Sequence, residues 1–181
     1  MKDITIFAGP DCVEIKASKL MLYARSTYFD SMFRTEMKEK ATNTVKFSVE
    51  PDICQEVISY IHTDETPNIM NPGTAEKLWY AAHMYELPGL QARCENALAI
   101  QITEENAAHL LAFTSLSEYR EPLEELREYV LEFITKGNGI CNKVIMSEGW
   151  SEIKSNPDIL HEVLEQLARG GSPPPRKKRK T

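Results

Sequence analysis

Apolar and polar residues alternate at the start of the chain. Ile4-Thr5-Ile6-Phe7 and Val13-Glu14-Ile15-Lys16 each place every second side chain on one face, the period of a half-buried strand. Gly9-Pro10-Asp11 between them supplies turn residues, so the two runs predict a hairpin. From Ala17 to Glu39 the alternation gives way to two short apolar helices, and Asn43 to Ser48 then predicts a further strand. Within the helical stretch Leu20 and Leu22 are expected to face inward, as are Phe29, Met32 and Phe33.

Beyond residue 50 the apolar positions recur at helical spacing. Pro51 suits a first turn, with Ile53, Val57, Ile58 and Ile61 on one face of a helix reaching about His62. Pro67, Pro72 and Gly73 mark a loop, after which Ala75, Leu78, Trp79 and Ala82 trace a stripe capped by Thr74. Pro88 opens a helix with Leu87, Leu90, Cys94, Ala97 and Leu98 inward.

The strand pattern then stops. Thr103 caps a helix whose Ala107, Leu110 and Leu111 face in, and Pro122 begins another with Leu123, Leu126, Val130, Phe133 and Ile134, ended by Gly137 and Gly139. Asn142 to Glu148 reads as one short helix, and Asn156-Pro157 starts a last one with Leu160, Val163, Leu164 and Leu167 on a single face. Strands mixed with helices, followed by helices alone, predict an α+β domain leading into an all-α segment.

Composition narrows the possible activities. A chain of 181 residues with 42% hydrophobic side chains buries one substantial core or two small ones. The net charge of −6 conceals a split, because Arg176, Lys177, Lys178, Arg179 and Lys180 hold five of the 21 basic residues. An acidic body with a basic end argues against a nucleic-acid groove in the folded part. Cys12, Cys54, Cys94 and Cys141 are widely spaced without CxxC or CxxH pairing, so reduced thiols are expected and neither zinc nor a disulfide framework. The first residues lack the apolar core of a signal peptide, and no run approaches the ~20 apolar residues that span a bilayer. A cytosolic or nuclear protein without membrane partners is expected.

Enzyme motifs are equally sparse. His62, His83, His109 and His161 are far apart, none lies in HExxH, and no glycine-rich loop precedes a helix as a phosphate site requires. His161 adjoins Glu162, but helix neighbours point to different faces and cannot form a base with its orienting group. No catalytic function and no cofactor is expected.

Several pieces together resemble the BTB/POZ domain, with the greatest likeness to the speckle-type POZ (MATH-BTB) adaptors of cullin-3 ubiquitin ligases. They are Asp3-Ile4, Ala17-x-Lys19, Leu22-x-Ala24-Arg25-Ser26, Phe29-x-x-Met32-Phe33 and Glu36-Met37-x-Glu39. The likeness continues in Glu105-Asn106-Ala107-Ala108, Ser117-Glu118, Gly149-Trp150 and the Pro-rich approach to a basic end. It implies a BTB/POZ domain over residues 1–100, a BACK-like helical segment over 101–169 and a disordered basic tail over 170–181.

The resemblance also implies partners. Met37, a thioether among Arg34, Glu36, Lys38, Glu39 and Lys40, suits a pocket on the cullin, with Glu39 at its rim accepting charge-assisted hydrogen bonds. The bland alternative is a methionine folded back on its own sheet edge. Self-association is the second implied property, with Met21 and Leu164 matching dimer-contacting positions, and the pairing partner is a second copy or a related BTB protein. Relatives place an apolar helix before the first strand and a substrate-capturing MATH domain before that; the sequence shows neither, so a weakened dimer and a fragment or a modulator of full-length adaptors are expected. Ser18 stands where most BTB domains have His, which predicts an altered hydrogen bond beside Asp3. Arg176 to Lys180, on a proline-spaced end, match an acidic import-receptor groove and predict a nuclear location. A BTB-mediated transcriptional co-regulator is the rival reading.

Overall fold

The computed structural model describes residues 3–34, 43–116, 119–137 and 139–169. The chain divides between Leu98 and Ala99 into two compact units. The first is α+β, and the described residues of the second are helical outside their turns.

Strands β1 (Ile4–Ala8) and β2 (Val13–Ala17) form the expected antiparallel hairpin, with Ile6 opposite Ile15. The turn needs glycine at position 9: its φ is +68°, and an added Cβ would approach the Pro51 ring at 3.2 Å. Helices α1 (Lys19–Arg25) and α2 (Thr27–Arg34) follow, and β3 (Thr44–Phe47) returns parallel to β1. The sheet order is β2-β1-β3, and a parallel return needs a crossover of this length. Ile4, Ile6, Ala8, Ile15, Ala17, Val45 and Phe47 are the buried set, as a period of two requires.

Ser26 joins the two short helices. Its N–H donates to Leu22 O at 3.2 Å, closing α1, while its Oγ accepts from Phe29 N–H at 3.2 Å and donates to Tyr85 O at 2.6 Å. One buried hydroxyl thus caps α2 and ties it to the segment after the fourth helix. Leu20 corrects the expectation for α1: it is 70% exposed, and Leu22 alone of that helix is buried.

Helix α3 (Pro51–Thr63) begins on Pro51 and carries Ile53, Val57, Ile58 and Ile61 into the core, as the spacing predicts. Helix α4 (Thr74–Met84) differs at its start: Gly73, at φ 75°, is the N-cap and Thr74 is already helical, with no side-chain cap. Helix α5 (Pro88–Ile100) opens on its proline, and the unit boundary falls in its last turn. Gly89 lies against Tyr60, where an added Cβ would fall 2.4 Å from the hydroxyl oxygen.

In the second unit α6 (Ala107–Thr114) starts later than expected, with Asn106 and not Thr103 at its N-cap and no side-chain cap. Thr103 Oγ1 accepts from Asn106 N–H at 3.3 Å and Asn106 Oδ1 accepts from Thr103 N–H at 2.8 Å, reciprocal bonds that close the turn leading into the helix. Helix α7 (Glu124–Thr135) buries Leu126, Val130, Leu131 and Ile134, and Phe133 is only half-buried. The short helix expected over Asn142 to Glu148 is α8 (Ile140–Ile145), starting and ending earlier, and an unexpected short helix, α9 (Trp150–Lys154), follows it and buries Trp150 and Ile153.

Helix α10 (Pro157–Ala168) is capped by Asn156, whose side chain accepts from Asp158 and Ile159 N–H at 3.2 and 3.5 Å. Its buried face is Ile159, Val163 and Gln166, so the expected inward positions of Leu164 and Leu167 are overturned. The cause is Arg127 on α7, whose side chain is 6% exposed and grips both carboxylate oxygens of Glu162. Holding residue 162 against α7 brings 159, 163 and 166 inward with it and turns Leu164 out.

Candidate functional site

The sequence points to the segment that follows α2, and the described residues show how that segment is held at its root. Phe29 and Phe33 of α2 are buried. Phe29 stacks on Phe47 of β3 with centroids 5.4 Å apart and planes 9° off parallel, and Tyr85 stacks on both rings at 5.4 and 4.3 Å. Offset aromatic contacts of this kind add to the area they bury. They lock α2 to the strand on the far side of the crossover. Burial, and after it the neighbouring Cys54 and Tyr28, holds the Tyr85 phenol well above its ordinary pKa, so this packing stays neutral. Met37 and Glu39 themselves lie outside the described residues, as do Arg176, Lys177, Lys178, Arg179 and Lys180.

Beside that root lies an exposed patch on α1 and α2. Leu20 and Tyr23 share the outer face of α1, Met21 is half-buried, and Tyr28 is exposed on α2. Arg34, the last residue of α2, lies over the Tyr23 ring, donates to its hydroxyl at 2.9 Å and donates through Nε to Asp30 at 2.5 Å. Lys19 lies 4.9 Å over Phe33. Cations resting on aromatic rings leave an amphipathic surface, apolar in body and charged at its rim. Such a surface suits protein contact.

Ser18 is placed as the sequence implies, next to Asp3, and the bonding is now specific. Asp3 Oδ1 accepts from Lys19 N–H at 2.7 Å, and His62 Nε2 of α3 accepts from Ser18 N–H at 3.1 Å. An imidazole from a different element therefore meets this turn.

On the opposite flank Arg25 binds both oxygens of Asp64, and Arg93 donates to Asp64 O at 2.5 Å. Both guanidinium groups lie over Tyr60, at 5.3 and 5.4 Å. Asp64 ends α3 in the left-handed conformation at φ 60°, and the Arg25 hydrogen bond holds its carboxyl below the usual range. This cluster fixes α1 against the end of α3.

Sequence reasoning missed the buried carboxylate of Glu56, which accepts from Asn68 N–H at 3.3 Å and from Asn68 Nδ2 at 2.7 Å, pinning the loop before α4. Arg127 was missed for the same reason: a charge within a helix pattern reads as solvated until its partner is known.

The residues weighed for catalysis are engaged elsewhere. Glu162 is taken by Arg127, and His161 meets Glu165 at 3.3 Å on the exposed face of α10. His109 lies 3.3 Å from Glu152, and His83 stacks on Trp79 at 5.3 Å. Burial pushes the Cys54 and Cys94 thiols up to about 12, away from the thiolate a nucleophile needs. No cluster of three or more metal-ligating side chains occurs among the described residues.

Leu164, on the second unit, is 55% exposed and stands one turn from half-buried Leu160. Of the two expected self-association positions, Leu164 is exposed and Met21 is half-buried.

Comparison with known proteins agrees with the geometry of the first unit. A curated relative, TD and POZ domain-containing protein 4 of Mus musculus, is 34% identical over 157 residues, covering 86% of this chain and 40% of its own length. The chain thus spans about 40% of that relative. The family model described as BTB/POZ domain matches residues 1–102. With more than half of its length under that match, the chain belongs to the BTB/POZ family, whose domains are protein-interaction modules that self-associate and bind other proteins.

Proposed function

We propose that this protein is a non-enzymatic adaptor subunit of a cullin-3 ubiquitin ligase, docking the cullin through its BTB/POZ domain. The observation that carries this is Met37-x-Glu39, which comes directly after α2, a helix anchored by the Phe29, Phe47 and Tyr85 stack. A thioether offered from such an anchored root is an apolar plug for a groove between helices, and Glu39 supplies a charged rim. Residues 101–169 are a BACK-like helical segment in this reading, with Met21 and Leu164 serving self-association. Paired copies present two docking sites and gain avidity.

Removing the Met37 side chain forfeits about 1.5–3 kcal/mol of apolar burial, so Met37→Ala weakens binding roughly ten- to a hundredfold. Titration of the purified protein against the cullin N-terminal domain measures this. Unchanged affinity removes Met37 from the site, and no binding by the wild type removes the ligase reading in favour of a transcriptional co-regulator. The basic run Arg176 to Lys180 directs nuclear import in the same proposal; deleting it from a fluorescent fusion lowers the nuclear fraction, and an unchanged distribution rejects it.

A further inference from the structure

Among the described residues one edge of the sheet is open. Strand β2 is its outer strand, and the direction of its backbone groups follows from β1. Thr5 N–H donates to Asn43 O at 3.0 Å and Gly9 N–H to Phe47 O at 3.2 Å, so the odd positions of β1 face β3. Ile4, Ile6 and Ala8 therefore face β2 and pair with Ala17, Ile15 and Val13. Glu14 and Lys16 are left with N–H and C=O turned out of the sheet, away from β1.

Open edges are commonly blunted by charge, and a single charge repels its own copy. Here the two charges have opposite sign and flank Ile15 symmetrically. When a second β2 lies antiparallel about Ile15, Glu14 falls opposite Lys16 of the copy and Lys16 opposite its Glu14. Those are the two positions whose backbone groups turn outward, so each opposed pair exchanges both its hydrogen bonds. The edge is complementary to itself.

The helix side of the edge has room for this. A groove of about 370 Å³ runs between β2 and α3, with Ile15 and Ile58 among its lining and Gln55, Ser59 and His62 along its α3 side. In that register Val13 and Ile15 of the copy have the parity that faces this groove, and Val13 is 42% exposed in the single chain.

We propose that β2 is a second self-association surface, pairing edge to edge with β2 of another copy into a continuous six-stranded sheet about a two-fold axis at Ile15. It lies on a different element from Met21 and Leu164 and does not depend on the cullin reading.

Charge exchange tests it in the full-length protein. Glu14→Lys or Lys16→Glu alone sets like charges opposite one another twice, weakening association about tenfold in sedimentation at high protein concentration. The double variant Glu14→Lys/Lys16→Glu restores opposite charges and regains wild-type association. An equal mixture of the two single variants also regains it. Both side chains are more than half exposed, at 62% and 56%, so circular dichroism and Tm stay unchanged in all three. Single variants that sediment as the wild type overturn the proposal, and so does a double variant or mixture that fails to recover. An extended segment of another protein as the natural occupant gives the first of these results.

Discussion

The two units meet the same requirement, burying short elements around one core, by different means. In the first a three-stranded sheet sets the position of everything packed on it: its period of two leaves no choice of face, and Phe29, Phe47 and Tyr85 lock the helices to it. In the second there is no such template among the described residues, and short helices set one another's rotation. Helix α10 carries two overlapping apolar stripes, Ile159 with Val163 and Leu160 with Leu164 and Leu167. Arg127 and Glu162 select the first. Packing by sheet is decided by pattern; packing between short helices is decided by particular polar contacts.

The largest test of that contrast is Phe29→Ala, which removes a fully buried ring from the stack and costs about 3–5 kcal/mol in chemical denaturation of the chain. A much smaller loss from a leucine substitution at this position would show that the stacking geometry matters less than burial. Next, the rotation of α10 separates two substitutions of equal chemistry. Ile159→Ala costs about 2–4 kcal/mol, whereas Leu164→Ala stays within about 0.5 kcal/mol in dilute monomer. Equal costs, read by the same denaturation curves, would return Leu164 to the core. Third, Ser26→Ala costs about 1 kcal/mol, because α2 loses its cap and Tyr85 O its donor.

The smallest effect is one of pH. Asp64 is ionised more readily in the folded chain than in the unfolded one, so its contribution is present above about pH 4, its unfolded pKa, and disappears as pH falls through its lowered folded value. Thermal melts of Asp64→Asn therefore lie below those of the wild type at neutral pH and converge with them in acid. A gap that persists in acid would assign the effect to backbone geometry at φ 60° and not to charge.

Much of the first unit, and the start of α10 in the second, was legible in the sequence. Gly9-Pro10-Asp11 marks the hairpin because turn chemistry is local, and Pro51, Pro88 and Asn156-Pro157 mark helix starts because proline and Asn act on the backbone beside them. The direction of β3 was not legible, since alternation is the same in parallel and antiparallel strands. Leu20 failed because a seven-residue helix has too few turns to define a face. The short helix α9 and the burial of Glu56 and Arg127 depend on partners distant in the chain. For the candidate site, sequence supplied Met37 and Glu39, and structure supplied the aromatic root and the Tyr23 and Arg34 surface beside it. The open β2 edge required both, strand order from the fold and alternating sign from the residues.

The four cysteines divide sharply in availability. Cys54 and Cys94 are sealed in the core and remain protonated in neutral solution, so alkylating reagents and mild oxidants meet Cys12 and the partly covered Cys141 first. Cys12 sits in the hairpin turn, one residue before β2 begins. A fluorophore attached there would report directly on whether a neighbour occupies that strand, without a residue of the interior being disturbed.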